Sequence, residues 1–411
     1  MEHFLPGEEG QPWYGSVEMA PCMFQDDLAN GSVGLLAARV ANQKVDFLVK
    51  ERGLQLNKDK SVCIIVGSKK QKKEASDELE EKPLQCGDFI TKEKQVEKWL
   101  GQYISAAGLA DSVRKTVEAR EGKVKGACLE IVTIVNDWRA SAAGGMETAL
   151  LLWEACCLPS LLHGAGTWTE MSVETERRLN SLQEWFLRLV LQVGPGAPLP
   201  SLLWDFHCLD MGLQVDREKL MLALHCRRLG EDALAGQVYS EQQAQGWPGL
   251  AMEAREICEK LKIESCDTTS LSSGQYRKYV TQACHEANED RLREKSVGKQ
   301  KCERILKEDY EKKSYIGEER IENVRNIYRT RFGLMPFAAN YSHSRKFEKT
   351  HFMCRCEQAR EDERHVTSRD CPVYADIREQ FLELDDDKKV MEYFVMVLAR
   401  RDELDSLKEK E

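Results

Sequence analysis

The sequence lacks any long, uninterrupted hydrophobic run. Its most apolar stretch, Ala149–Leu162, contains Glu154 and Pro159 and is shorter than the roughly 20 residues that a membrane-spanning helix needs. The first ten residues include three Glu and no apolar centre, which argues against a secretory signal peptide. We therefore expect a soluble, intracellular protein of the nucleus or cytoplasm, with no membrane partner.

An excess of positive charge is also missing. The 411 residues include 59 Lys and Arg against 69 Asp and Glu, a formal net charge of -10, whereas proteins that hold nucleic acid by charge alone are usually basic. The average conceals a contrast between two segments. Residues 271–350 have 18 basic against 12 acidic side chains, and residues 372–411 have 7 against 12. Any contact with a polyanion is expected in the first segment.

A regular cysteine framework is absent as well. The 15 cysteines are odd in number and unevenly spaced, so we expect reduced thiols and no disulfide scaffold. One cluster stands out, because Cys354, Cys356, His365 and Cys371 lie within 18 residues. Three thiolates and one imidazole complete a tetrahedral Zn²⁺ site with no open position, which predicts a structural role.

The residues between these ligands are polar and charged, with almost no apolar core of their own. That favours stapling by a metal over apolar packing, and free reduced thiols are the alternative. Arg355, Arg360 and Arg364 surround the cluster. They could contact phosphate or pair with the adjacent acids.

Two adjacent carboxylates, Asp26 and Asp27, follow the apolar segment Val17–Phe24, and Gly31 and Ser32 come soon after. This pattern predicts a strand, a tight turn that carries the acids, and a return strand. A pair of acids at a hairpin tip directs oxygens toward one point, as Mg²⁺ requires. A solvated turn is the alternative interpretation.

The next hundred residues alternate between elements. The first element has the apolar spacing of a helix, which Gly53 is expected to end. Lys60 precedes an apolar segment that is predicted to be a strand. A charged segment that follows has no apolar face and is predicted to be a solvated loop. In order, the predictions are a helix over Leu35–Glu51, a buried strand over Val62–Val66, a loop over Ser68–Pro83, a strand over Leu84–Ile90, and a strand and turn over Lys98–Ser105 with Gly101 at the bend.

From about residue 111 to 262 the pattern is helical. One long apolar face is predicted from positions three, four or seven residues apart, namely Val113, Val117, Val124, Cys128, Ile131, Val135 and Trp138. Ser265–Gln275 reads as a linker. Cys284–Lys313 is predicted as a polar helix that either bridges solvent or lies on a polyanion.

A basic and aromatic patch follows. Arg325, Arg329 and Arg331 are interleaved with Tyr328 and Phe332, a combination that can bind phosphates and stack on bases. The alternative is the end of an ordinary amphipathic helix.

Three motifs in order resemble the last three palm motifs of reverse transcriptases, above all the non-LTR retrotransposon branch. They are Phe24-Gln25-Asp26-Asp27, Leu54-x-Leu56-Asn57-x-x-Lys60-Ser61 and Trp99-Leu100-Gly101-x-x-Ile104. The resemblance implies an α+β architecture. Its parts would be a partial palm over 1–108, a small antiparallel sheet with a helix; a mostly helical thumb and connector over 109–262; a basic helical segment over 276–350; and a small zinc-knuckle-like helical module over 351–411.

The chemistry that the resemblance implies is RNA-directed DNA polymerisation by two-metal nucleotidyl transfer. By resemblance, Asp26 and Asp27 bind Mg²⁺, and Lys60 protonates the leaving group or orients the nucleotide. Trp99 and Gly101 belong to the segment that grips the primer terminus. The implied partners are an RNA template, a DNA primer and deoxynucleoside triphosphates.

The family also uses a third carboxylate from an earlier strand, a nucleotide-selecting loop and template-clamping fingers. Only 25 residues precede Asp26, and none of them is Asp. We therefore expect a 5′-truncated reverse transcriptase with weak or lost Mg²⁺ binding and little or no activity. A non-enzymatic nucleic-acid-binding protein derived from a retrotransposon is the alternative, and a relic without molecular function is a third.

Overall fold

The computed structural model describes residues 35–53, 55–137, 143–263, 271–337, 353–368, 371–381 and 386–408, residues 32 and 384, and the strand segments 13–14, 17–18, 22–24 and 27–29. This part of the chain is mostly helical with a few short strands, which agrees with the α+β class. No helix within these residues is both long enough and apolar enough to cross a bilayer.

The strands pair two at a time. In place of one small antiparallel sheet, the described strands form five separate two-stranded sheets, of which four are antiparallel and one is parallel. The pairs are β1 (Trp13–Tyr14) with β2 (Val17–Glu18), β3 (Cys22–Phe24) with β4 (Asp27–Ala29), β5 (Val62–Cys63) in parallel with β8 (Lys92–Glu93), β6 (Gln85–Cys86) with β7 (Phe89–Ile90), and β9 (Val96–Trp99) with β10 (Gln102–Ser105).

Helices make up most of the remainder. A π-helical turn, Trp153–Cys157, joins the fourth and fifth α-helices of the described residues. The 3-10 helices among these residues are Ala165–Thr167, Gly230–Asp232, Gln300–Leu306 and Pro372–Tyr374. The α-helices are α1 (Leu35–Glu51), α2 (Lys69–Glu81), α3 (Leu109–Asn136), α4 (Gly145–Leu152), α5 (Leu158–Leu161), α6 (Val173–Leu191), α7 (Leu199–Asp205), α8 (Met211–Leu229), α9 (Leu234–Gln245), α10 (Leu250–Lys260), α11 (Ser273–Ser296), α12 (Tyr315–Glu318), α13 (Ile321–Arg331), α14 (Glu363–Thr367), α15 (Ala375–Gln380) and α16 (Asp387–Lys408).

The chain divides into two compact units. One comprises Met1–Val124, Pro159–Asn180 and Met211–Ala287, and there α8, α9 and α10 pack on one another while α1 packs on β6. The other comprises Lys125–Leu158, Ser181–Asp210 and Asn288–Glu411, and there α16 packs on α13 and α15. The predicted domain boundaries remain a prediction.

Two helical predictions are confirmed. Helix α1 has the predicted bounds and is followed by Gly53, whose φ of 66° is easy only for glycine. The long apolar face is confirmed in α3, where the described members of the pattern are buried: Val113, Val117, Val124, Cys128, Ile131 and Val135. Trp138 lies outside the described residues.

The charged segment after Gly67 is helical, so the loop prediction was wrong. Ser68 caps α2, since its hydroxyl accepts the Gln71 N–H and the Gln71 side chain accepts the Ser68 N–H. This capping box satisfies two backbone donors at the helix start. No residue of α2 is buried, which explains why an apolar pattern could not reveal the helix.

Other boundaries also differ from prediction. The expected strand Leu84–Ile90 is a hairpin, since Gly87, with a φ of 60°, lets β6 turn into β7. The expected strand Val62–Val66 is shorter and only half-buried. The polar helix begins at Ser273 and ends at Ser296. It has a buried side formed by Tyr276, Val280, Cys284, Asn288 and Leu292, so it is not a helix solvated on all faces.

Candidate metal centre and predicted site residues

Cys354, Cys356, His365 and Cys371 come together in the folded chain. One ligand atom from each lies within 4.8 Å of the others. The Sγ atoms of Cys354 and Cys371 are 3.7 Å apart, and Cys356 Sγ lies 3.1 Å from His365 Nε2. Two sulfurs at about 2.3 Å from a tetrahedral ion would lie roughly 3.8 Å apart. The group can therefore hold a metal ion, as the spacing predicted.

Local turns position these ligands. The Cys354 N–H donates to Ala359 O (2.8 Å) and the Glu357 N–H donates back to Cys354 O (2.8 Å), with Glu357 at a φ of 60°. This tight turn brings the first two thiols to one side. The Asp362 carboxylate then accepts the His365 N–H at 2.7 Å and caps α14. The short helix thereby points His365 back toward Cys356.

The thiols differ in acidity. Burial raises the pKa of the Cys354 thiol to about 12. For Cys356, partial burial opposes ionisation, but the N–H of Gln358 and hydrogen bonds with the neighbouring ligand groups hold the pKa at about 7. Metals bind the thiolate form. Cys356 is therefore more ready to bind a metal than Cys354, and binding at Cys354 would release a proton.

An apolar core surrounds the ligand group. The core is supplied mainly by segments outside the ligand loop, and Cys354 and Cys371 are themselves part of it. Its other buried members are Met335, Phe337, Val366, Tyr374, Ile377, Tyr393, Phe394 and Val397. Most of these residues belong to α15, to α16 or to the segment that follows α13. Apolar packing therefore contributes to the stability of this C-terminal part in addition to any bound metal.

Ion pairs tie the ligand loop to α16. The fully buried Glu361 accepts from Arg355 Nη1 (2.8 Å) and Arg401 Nη1 (3.3 Å). Arg355 also donates from Nε to Asp405 at 2.9 Å. Arg355, which lies between Cys354 and Cys356 in the sequence, is therefore paired with acidic side chains in the structure.

The predicted magnesium pair is only partly within the described residues. β3 and β4 are antiparallel with Phe24 opposite Asp27, so two residues separate the paired positions, as expected for a tight hairpin. Asp27 is the first residue of β4. Asp26 lies outside the described residues.

Lys60 lies in an exposed turn ahead of β5. Asn57 organises this turn, because its Oδ1 accepts the N–H groups of Asp59 (3.0 Å) and Lys60 (3.3 Å) and its carbonyl accepts the Ser61 hydroxyl (2.9 Å). An Asn side chain that mimics a backbone turn is a common way to reverse the chain. The Asn-x-x-Lys-Ser spacing therefore has a structural reason here.

Trp99 and Gly101 lie at the tip of the β9–β10 hairpin. Trp99 pairs with Gln102, and the two residues between them have positive φ, 47° for Leu100 and 81° for Gly101. Positive φ at both positions is typical of a type I′ turn, which favours glycine. The indole N–H of Trp99 is buried and has no hydrogen-bond partner among the residues that the structure describes. The predicted turn is thus present. Arg120 of α3 donates a hydrogen bond to the carbonyl of Gly101, and the sequence analysis did not identify Arg120.

The basic and aromatic patch is mostly internal. Tyr328 and Phe332 are buried, as are two of its three arginines, Arg325 and Arg331. Arg325 donates from Nε to Val190 O at 2.8 Å. These two arginines are therefore committed to protein partners, and only Arg329 is partly exposed.

Arg331 is the centre of a carboxylate cluster. It donates to both oxygens of the fully buried Asp205 (2.8 and 3.1 Å), to Glu308 (2.5 Å) and to Asp387. Tyr315 also donates to Asp205, at 2.7 Å. The predicted nucleic-acid contact at Arg331 is replaced by this internal network. The sequence could not reveal it, because the acids lie 23 to 126 residues away.

No protein-family model matches the sequence, and no curated protein matches it.

Proposed function

We propose that this chain is part of a reverse transcriptase of the non-LTR retrotransposon type, comprising the end of the palm, the thumb and a zinc element. The supporting observation is the order of backbone features at the three motifs. A hairpin at Asp27 is followed by the Asn57 turn ahead of β5, and then by the β9–β10 hairpin, from which the chain passes directly into α3.

On this proposal the chain by itself extends primers weakly or not at all. Two-metal catalysis needs carboxylates that clamp both ions, and the proposal assigns only two to this role, Asp26 and Asp27, which are adjacent in the chain. The helical part and the zinc element would retain contacts to template and primer, without supplying chemistry.

Primer extension tests the catalytic part of the proposal. The purified chain is incubated with an RNA homopolymer, a DNA primer and the matching deoxynucleoside triphosphate, with Mg²⁺ or Mn²⁺. Any extension should disappear in Asp26→Ala and persist in Asp77→Ala, which removes the same charge from the exposed face of α2. Extension that survives Asp26→Ala would contradict the metal role.

A second candidate function is nucleic-acid binding without catalysis. Lys301 is exposed on the 3-10 helix Gln300–Leu306, and Lys299 and Lys307 are exposed directly before and after it. All three lie within the segment that is locally basic. Lysines of this kind bind phosphates and release counterions, so binding weakens as salt rises.

Fluorescence anisotropy with a labelled single-stranded RNA tests this function. Replacing the three lysines by Gln should flatten the log–log salt dependence by up to about 2. The matched control replaces Lys69, Lys70 and Lys73 of α2, which are also exposed. A wild-type slope near zero, or equal slopes in both variants, would contradict the assignment.

For the metal group we propose structural Zn²⁺. A set of three thiolates and one imidazole is typical of zinc, and four protein ligands leave no position for a substrate or reactive water. The ion would join the Cys354 turn, α14 and the segment that begins at Cys371.

A further inference from the structure

The first compact unit contains a cavity of about 340 Å³ between α8, α9 and α10. Its volume is within the lower range of small-molecule sites, which are roughly 300–1,000 Å³. None of the residues discussed above as metal ligands or polymerase residues lines it.

Part of the cavity wall is apolar. Tyr239 from α9, Cys258 from α10 and Ile263 after α10 are each at most 6% exposed, and Met252 is half-buried beside them. Such a wall favours an apolar ligand group, because that group would leave water on binding.

Among the described residues that line the cavity, the charged side chains are net positive. They are Arg227 of α8 and Arg255 of α10, against one acid, Glu259. The guanidinium carbon of Arg227 lies 5.9 Å from the centre of the Tyr239 ring. Guanidinium groups bind carboxylates, sulfonates and phosphates through paired N–H donors.

The cavity is held open by contacts among its own helices. The Gln242 side-chain oxygen accepts the Ala251 N–H at 3.1 Å, which joins the end of α9 to the start of α10. Lys219 and Glu253 form an ion pair of 2.6 Å between α8 and α10. Gly246 ends α9 with a φ of 65°, and a Cβ there would meet no atom within 4 Å. A preformed site avoids much of the cost of ordering its walls on binding.

We propose that this cavity binds a small amphipathic anion, an acidic group attached to an apolar ring or chain. The acidic group binds Arg227 and Arg255, and the apolar part lies against Met252, Cys258 and Ile263. This inference can be tested separately from the polymerase proposal, because none of the lining residues is among those assigned above to metal, nucleotide or primer.

Two fluorescent probes of matched shape test the proposal. 8-Anilinonaphthalene-1-sulfonate carries an anionic group on an apolar skeleton, and N-phenyl-1-naphthylamine has the same skeleton without the charge. Each is titrated into the full chain under native conditions. The variants are Arg227→Gln with Arg255→Gln, the cavity-filling Met252→Trp, and the control Arg217→Gln on the same helix, whose guanidinium pairs with Glu218.

We expect saturable binding of one sulfonate probe per chain, weakened about tenfold or more in the double arginine variant and unchanged in Arg217→Gln. A tenfold change corresponds to the loss of about one charge-assisted contact. The neutral probe should lose little affinity in the double variant, and Met252→Trp should weaken both probes. Circular dichroism confirms that each variant is folded.

Three results would overturn the proposal. The first is the absence of saturable binding to the folded wild type. The second is equal affinity of the sulfonate probe for wild type and the double arginine variant. The third is equal affinity of both probes for wild type and Met252→Trp, which would locate the binding elsewhere on the chain.

Discussion

Arg120 donates a hydrogen bond of 2.8 Å to the carbonyl of Gly101 at the tip of the β9–β10 hairpin. Its other terminal nitrogen donates to the carbonyls of Leu161 (2.9 Å) and His163 (2.8 Å), and the guanidinium lies 5.8 Å from the Trp168 ring. Burial lowers the pKa of Arg120. A buried cation surrounded by carbonyl dipoles thus joins the turn to α3, to the last residue of α5 and to the segment that follows it.

Replacing Arg120 by Met should destabilise the first unit by about 3 kcal/mol, because three carbonyls lose their donor and each unsatisfied buried group costs about 1–3 kcal/mol. The hairpin should also exchange its amide hydrogens faster over residues 96–105. Urea unfolding and hydrogen exchange measure the two effects. Arg177→Met is the control, since Arg177 pairs with Glu174 on the surface and such pairs contribute about 0–1 kcal/mol. Equal stability of the two variants would contradict the assigned role.

The ion pairs of Arg331 predict that the free energy of unfolding depends on pH. Burial opposes ionisation of Glu308, but the hydrogen bond and charge of Arg331 hold its pKa below the ordinary 4.5. A carboxyl whose pKa is lowered by folding stabilises the protein above its unfolded pKa, and this stability is lost as the pH falls through the folded value. We expect the free energy of unfolding to fall below about pH 4.5, with a shallower slope in Glu308→Gln.

Unfolding curves between pH 3 and pH 6 provide the measurement. Glu303→Gln, at an exposed position of the neighbouring 3-10 helix, should keep the wild-type slope. If Glu308→Gln and wild type lose stability in parallel, Glu308 is not stabilised by Arg331.

The metal group predicts about one Zn²⁺ per chain, lost in Cys354→Ser. Removing one ligand leaves three and exposes the ion to water, which weakens binding. Cys156→Ser is the matched control, because Cys156 is an exposed cysteine outside the ligand group. The zinc content of both variants is measured by mass spectrometry after gel filtration. Equal zinc content in Cys354→Ser and Cys156→Ser would rule out the site.

Ser68→Ala should loosen α2 by about 1 kcal/mol, the usual value of an N-cap. Since α2 buries no residue, protection from hydrogen exchange should fall over residues 69–81 while the thermal midpoint of the chain stays unchanged. Asp77→Ala, on the exposed face of the same helix, should not reduce protection. A drop in the thermal midpoint of Ser68→Ala would show that α2 stabilises more of the fold than its contacts suggest.

Local features of the fold were predictable to different extents. The apolar spacing in α1 and α3 sufficed because each helix buries one face, which is a property of the segment alone. Apolar spacing does not predict helix α2, because α2 has no buried face and is instead marked by its N-terminal capping box and its charged residues. The core around Cys354 was missed because Met335 and Phe337, which precede the ligand loop, and Tyr393 and Phe394, which follow it, complete the packing.

The sequence by itself identified the group of residues that can hold a metal ion and the positions of the β3–β4 and β9–β10 hairpins, since residue spacing and turn chemistry are encoded within a few residues. Only the tertiary structure decided how the arginines are used. Arg325 and Arg331 look like a surface patch in the sequence, but they are buried against partners up to 189 and 126 residues away. A buried guanidinium is stable only where distant carbonyls and carboxylates surround it, and no local pattern specifies those partners.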